Sequence, residues 1–239
     1  MNIFLTADWV NLIIVSWRVA PAVLEPYLPP GTTLDEYHGD VFISCVAFEF
    51  RQTRVRGLTV PLHVNFPEIN LRFYAKASGK RGVVFLRELV PSPAIVLVAR
   101  WLYHEPYASC PMRATSDLSG PCISVRHAFR YKGTPYRVEA VGQNAPFVPS
   151  VESLEHFLKE HERGYGTSRR GTMLTYRVEH PRWSVYPIQE YRCDVKFGRV
   201  YGDQWAFLED QRPANVMLAQ GSGVSVFEPV EGERPVEAK

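Results

Sequence analysis

The sequence predicts a mainly β domain with about three helices, and three observations carry that expectation. Its apolar stretches are short and rich in Val, Ile, Phe and Tyr, Gly or Pro interrupts most of them, and only three segments show helical spacing. With 46% hydrophobic and 22% charged residues over 239 positions, the balance is globular, which excludes a disordered, collagenous or coiled-coil chain. A chain of this length buries about 70–75% of the surface its unfolded form exposes, enough for a substantial core.

Taken in order, the first strand is expected over Leu12 to Val19, and a short helix over Pro21 to Leu28, with Pro21 in its first turn and Pro29-Pro30-Gly31 ending it. Val41 to Phe50 is the clearest strand; both its even and odd positions are mainly apolar, so it should be covered on both faces. Glu68 to Ala77 and Val83 to Leu89 flank the turn 78–82, the best hairpin loop in the chain. A second helix is expected over Ser92 to Tyr103, where Pro93 suits the first helical position and Ile95, Val98, Ala99 and Leu102 share a face. Strands follow at Met112 to Ser116, Cys122 to Tyr131 and Pro135 to Val141, and the Leu154, Phe157, Leu158 stripe marks a third helix running from about Ser150 to Glu162. Thr172 to Val178, Cys193 to Val200 and Val216 to Phe227 complete the strands. With no internal repeat and no linker before Pro229, residues 1–228 read as one domain, and 229–239 as a tail that frays.

Charge and motifs exclude more than they identify. The formal charge of +2 gives no net field for a polyanion, so nucleic acid is not expected as a partner. Only six of the 27 basic residues are lysines, which favours fixed, carboxylate-matching guanidiniums over amines that can lose a proton. Cys45, Cys110, Cys122 and Cys193 are widely spaced, and no apolar run reaches the length of a membrane span or a signal segment, so a reduced, cytoplasmic setting away from membranes is expected. His156 and His161 stand about 140° apart on a helix and cannot share an ion. No metal site is expected, and without a phosphate loop, a dinucleotide fingerprint or a nucleophile elbow, no cofactor is expected either.

One strand has an unusual face. Glu68, Asn70, Arg72, Tyr74 and Lys76 alternate with Ile69, Leu71, Phe73 and Ala75, so one side is entirely polar. Two readings fit: an antiparallel sheet with one side in water, or a barrel whose lumen this face lines. In the second, Arg72 would fork onto a carboxylate and Glu68 would be available for proton transfer.

The sequence from Trp17-Arg18-Val19 through Leu24 to Leu28 and Pro29-Pro30-Gly31, then residues 35–39 (Asp-Glu-Tyr-His-Gly), 66–74 (Phe-Pro-Glu-Ile-Asn-Leu-Arg-Phe-Tyr), 82–85, Ala99-Arg100 and Pro106-Tyr107, resembles the YqjF-like uncharacterised family (domain of unknown function 2071). That family resembles the acetoacetate decarboxylase superfamily. The resemblance implies a cone-shaped antiparallel β-barrel with helices packed outside and a ligand cavity within, and it favours the lumen reading of the polar face. It also implies that Glu68 corresponds to the superfamily's cavity glutamate and Arg100 to a carboxylate anchor. The decarboxylases follow a Gly-Arg-Glu element with Pro-Lys-Lys, whose first lysine forms a Schiff base. Here Pro106-Tyr107-Ala108 stands in that place and both lysines are missing.

The expected site therefore has Glu68 and Tyr107 as catalytic residues, with Asn70, Arg72, Tyr74, Arg100 and Arg126 binding substrate. Arg126 enters because it shares a strand face with Ser124. Lys76, near the end of the polar face, is the remaining candidate amine. The partner expected is a small, oxo-acid-like organic anion, and homo-oligomerisation stays open. Two functions remain: a lyase-type enzyme using Glu68 as acid or base without an imine, and a non-catalytic binding protein on the same barrel.

Overall fold

The computed structural model describes residues 2–102 and 106–232, without the side chains of Ala99, Arg100 and Leu102. Their elements run β1 (Ile3–Val19), α1 (Pro21–Leu24, continued by a 3₁₀ turn, Glu25–Tyr27), β2 (Thr33–Leu34), β3 (Val41–Val55), β4 (Leu58–Thr59), β5 (Phe66–Ala77) and β6 (Lys80–Val90). Next come α2 (Pro93–Leu102), β7 (Tyr107–Ser109), β8 (Met112–Asp117), β9 (Cys122–Tyr131), β10 (Thr134–Gln143), α3 (Leu154–Lys159), β11 (Arg163–Thr167), β12 (Met173–Glu179) and β13 (Val185–Tyr186). The chain continues through β14 (Ile188–Asp194), α4 (Phe197–Tyr201, then a 3₁₀ segment, Asp203–Glu209), β15 (Asn215–Phe227) and β16 (Val230–Glu231).

Seven of these strands close a ring. In order they are β15, β1, β3, β5, β6, β11 and β12, and β12 returns to β15 through Val178 opposite Val226 and Glu179 opposite Ser225. The ladders are antiparallel except around β6, which pairs in parallel with β11 at Val83 and Gly164 and with β7 over Glu88–Val90. The expected all-antiparallel sheet is therefore mixed at that strand. A second, four-stranded sheet runs β14, β10, β9, β8.

Val41 to Phe50 is apolar on both sides because each side of the ring wall is covered. On one side Cys45 of β3 and Ile69, Leu71 and Phe73 of β5 pack with Val125 and Phe129 of the second sheet and with Phe197 and Val200 of α4. On the other, Val46 and Tyr74 pack with Phe157 and Leu158, which α3 delivers after Ser153 caps its first turn by accepting from the His156 amide at 3.2 Å. Fully burying each aliphatic or aromatic side chain of this kind contributes about 1.5–3 kcal/mol.

Four helices appear among the described residues, one more than expected. Cys193 to Val200 was expected as a strand; instead β14 ends at Asp194 and α4 begins at Phe197. Phe197, Val200 and Tyr201 recur at helical spacing and are all buried, and that spacing fits a single turn better than a pleat. The turns obey their chemistry. Ser78 and Gly79 both have positive φ (49° and 74°), as do Lys132 and Gly133 (46° and 81°), the two-residue geometry that matches strand twist. At the tail, β16 pairs with β12, so the chain is held two residues beyond Pro229.

Candidate active site inside the ring

The ring encloses a cavity of about 220 Å³, and adjacent strands supply its polar end. Along β5, Glu68, Asn70 and Arg72 line it, as alternation requires. Across the ladder Glu88 of β6 stands opposite Asn70, and Tyr107 of β7 stands beside Glu88. All except Arg72 are buried: Glu68, Asn70 and Glu88 are at most 2% exposed and Tyr107 is 9% exposed. The walls are apolar and aromatic, with Trp9, Phe48, Phe50, Phe66, Phe85 and Trp183 prominent among them.

These groups hold Glu68 from several directions. The Asn70 side-chain amide donates to its Oε1 at 3.0 Å, the Tyr107 hydroxyl donates to Oε2 at 3.2 Å, and Glu88 is hydrogen-bonded to it as well. Burial raises the Glu68 carboxyl from 4.5 to about 7, against the opposing pull of the Asn70, Glu88 and Tyr107 hydrogen bonds and the nearby Arg72 charge. A carboxyl held near neutrality can both give and take a proton. Asn70 Oδ1 and Arg72 Nε are among the buried atoms that have no partner. Both belong to residues that line the cavity, and they offer it one acceptor and one charged donor.

The other expected site residues fall elsewhere. Tyr74 is buried, but α3 fills the space before it: its hydroxyl donates to the Leu158 carbonyl at 3.1 Å and shares a 2.6 Å hydrogen bond with Ser44 Oγ, and it does not line the cavity. Arg126 requires correction. It sits on the solvent face of the second sheet, paired with Glu139 at 3.0 Å and half exposed, because the apolar residues of β9 (Ile123, Val125 and Phe129) turn the opposite face to the core. Arg100 lies in α2 with its side chain outside the described set.

Among the described residues no lysine lines the cavity. Lys76 pairs with Thr33 of β2, Lys80 opens β6 at the hairpin turn, and Lys159 is buried in an ion pair with Glu160. No helix is long and apolar enough to cross a membrane among these residues, and no group of three His, Cys, Asp or Glu side chains is placed to hold a metal ion.

Sequence reasoning missed Glu88, and the cause is a β-bulge. The β5–β6 register shifts between Leu71 and Arg72: Leu71 opposes Arg87, whereas Arg72 opposes Phe85. Strict alternation along β6 would put Glu88 on the side of Val84 and Leu86, which face the core beneath the second sheet. The extra residue brings both Phe85 and Glu88 onto the cavity side. Glu88, the one acidic residue of β6, was the available signal.

Solved structures with this fold include MppR, an enduracididine biosynthesis enzyme, in complexes with pyruvate and with a condensation product of pyruvate and imidazole 4-carboxaldehyde. The second of these superposes with a TM-score of 0.67 at 12% identity, covering 97% of this chain and 90% of that one. An acetoacetate decarboxylase-like enzyme from Sphingomonas wittichii RW1 gives the same score at 12% identity over 98% of this chain and 95% of its own. The acetoacetate decarboxylase of Legionella pneumophila gives 0.65 at 9% identity over 98% and 90%. The fold is therefore acetoacetate decarboxylase-like. In sequence, the chain is 30% identical over 177 residues to the uncharacterized protein YqjF of Bacillus subtilis (strain 168), an alignment covering 73% of this chain and 72% of that one. The family model DUF2071, an uncharacterized conserved protein, matches residues 6–223. The chain thus belongs to the DUF2071 family, carried on an acetoacetate decarboxylase-like fold.

Proposed function

We propose that the ring cavity binds a small oxo-acid or a related carbonyl compound with an apolar body, and that Glu68 exchanges a proton with it in an enolisation, the acid–base part of a lyase-type reaction, that needs no imine. The observation that carries this reading is Glu68 itself, a buried carboxyl held at about 7 within hydrogen-bonding reach of the Tyr107 hydroxyl. The Glu68 carboxylate would take a proton from the carbon next to the ligand carbonyl. The electron pair would pass to the carbonyl oxygen, where the Tyr107 hydroxyl would donate a hydrogen bond, and return of the proton to carbon would regenerate the Glu68 carboxylate. Arg72, whose Nε is buried without a partner, suits one carboxylate oxygen. The volume of about 220 Å³ suits a compound of few heavy atoms, and the same fold holds pyruvate in MppR.

Of the three arginines expected near the lumen, Arg72 alone lines it among the described side chains, together with two carboxyl groups, Glu68 and Glu88. That favours a single carboxylate on an otherwise apolar molecule over a polyanion. The test is deuterium exchange at the methyl group of pyruvate and of longer 2-oxo acids, followed by proton NMR. Exchange faster than in buffer, lost in Glu68→Gln with binding retained, supports the reading. Ligand binding with exchange at the buffer rate would replace it with the non-catalytic binding protein.

A further inference from the structure

The cavity opens beneath an apolar rim. Six large side chains on it are exposed: Leu58 (72%), Val60 (40%) and Leu62 (96%) on the segment after β3, and Leu97 (72%), Val98 (47%) and Trp101 (71%) on α2. Val60 and Val98 also line the cavity, so the patch is continuous with its mouth. The two segments are tied together, since His63 Nε2 and Ser92 Oγ lie 2.7 Å apart.

Two features mark this surface as one that is covered in solution. Every residue of α2 except Arg100 is uncharged and mostly bulky and apolar, and a helix that is apolar all round belongs in an interior. Leu62 holds a positive φ of 67°, a conformation that disfavours branched side chains, yet its own side chain stands almost fully exposed. A backbone held that way to present a bare leucine is explained by a contact outside the monomer.

The occupant follows from charge and area. Neither segment 57–65 nor segment 91–102 contains an Asp or Glu, and Arg100 is their one full charge. A membrane-docking face carries several lysines or arginines around its apolar residues, and this one does not. Uncharged, aromatic and aliphatic surfaces of this kind are typical of homodimer cores. Six side chains exposed to this degree amount to an area comparable with the ~800 Å² that each partner contributes to a standard interface. We propose that this face is the interface of a twofold homodimer, in which α2 and the 58–62 segment of one protomer cover the cavity mouth of its partner and complete its roof. The inference does not rest on the proposed chemistry.

Sedimentation velocity on the full chain across the micromolar range tests it, using wild type, Trp101→Asp, Trp101→Phe and Leu62→Asn. Asn tolerates positive φ better than Leu, so Leu62→Asn removes the contact while relieving the strain and leaves the fold intact. The expected result is a wild-type dimer, a dissociation constant raised roughly tenfold or more in Leu62→Asn and Trp101→Asp, and a dimer retained in Trp101→Phe. A monomeric wild type, a dimer indifferent to both disruptive substitutions, or a monomer that binds phosphatidylglycerol vesicles through this rim would overturn it.

Discussion

Glu88 faces Asn70 across the β5–β6 ladder and shares a hydrogen bond with Glu68, so two buried carboxyl groups meet at the polar end of the cavity. Two carboxyls can bond directly only when one of them carries the proton, and here that bond favours the ionised form of Glu68. Replacing Glu88 with Leu should therefore raise the Glu68 value above about 7. Glu88→Gln keeps a donor and should shift it less. Carbon-13 NMR titration of the glutamate carboxyls distinguishes the two, and an unmoved Glu68 in Glu88→Leu would mean that Glu88 does not act on it.

The raised Glu68 value also makes a statement about stability. Its folded value of about 7 lies above its ordinary 4.5, so the folded state binds the proton more tightly. The contribution is complete below pH 4.5 and is lost as the pH rises through about 7, amounting to about 3 kcal/mol. Glu68→Gln, which cannot ionise, should thus gain melting temperature over wild type at pH 8 and gain little at pH 5. Equal differences at both pH values would show that the buried carboxyl does not ionise across this range.

His127 has the opposite sign. It is fully buried beneath the second sheet, its Nε2 3.1 Å from the Asn11 carbonyl, and burial lowers it from 6.5 to about 4. Its contribution is therefore present above pH 6.5 and is lost as the pH falls towards 4, again by about 3 kcal/mol. Denaturant unfolding of wild type and His127→Gln at pH 7 and pH 4.5 should show the variant losing less stability on acidification. A parallel loss in both would assign the acid sensitivity elsewhere.

Because no lysine among the described residues lines the cavity, borohydride reduction in the presence of a β-keto acid should leave every lysine unmodified. Intact-mass and peptide mass spectrometry read this directly. An adduct on Lys76 or Lys159 would show that an amine reaches the ligand after all.

The sequence made the strands legible where composition decides them. Val41 to Phe50 was recognisable as a near-continuous apolar run and Glu68 to Ala77 from its alternation, which also marked the polar row of Glu68, Asn70 and Arg72. What escaped was long-range placement. Alternation puts Arg126 and Ser124 on one side of β9, but which side meets the core depends on a sheet assembled from strands far apart in sequence. Tyr74 continues the polar face, yet α3, more than eighty residues later, occupies the space in front of it. Glu88 escaped because one bulged residue reverses the parity of β6. The first strand was read too short, as Thr6, Asp8 and Asn11 interrupt its apolar pattern while Phe4 and Ala7 are buried.

The ring has a bearing on how the molecule comes to exist. Strand β1 lies between β3, a near neighbour in sequence, and β15, with Ile3 opposite Phe227 and Ser16 opposite Asn215. Half of the backbone groups of β1 thus wait for a strand at the far end of the chain, and such distant pairing is slow. Until β15 arrives, an emerging polypeptide exposes the β1 edge together with the aromatic wall that Trp9 shares, a template for pairing with other nascent chains. Synthesis of this protein should therefore be a period of vulnerability, with holdase-type chaperones guarding an edge that the finished molecule does not possess.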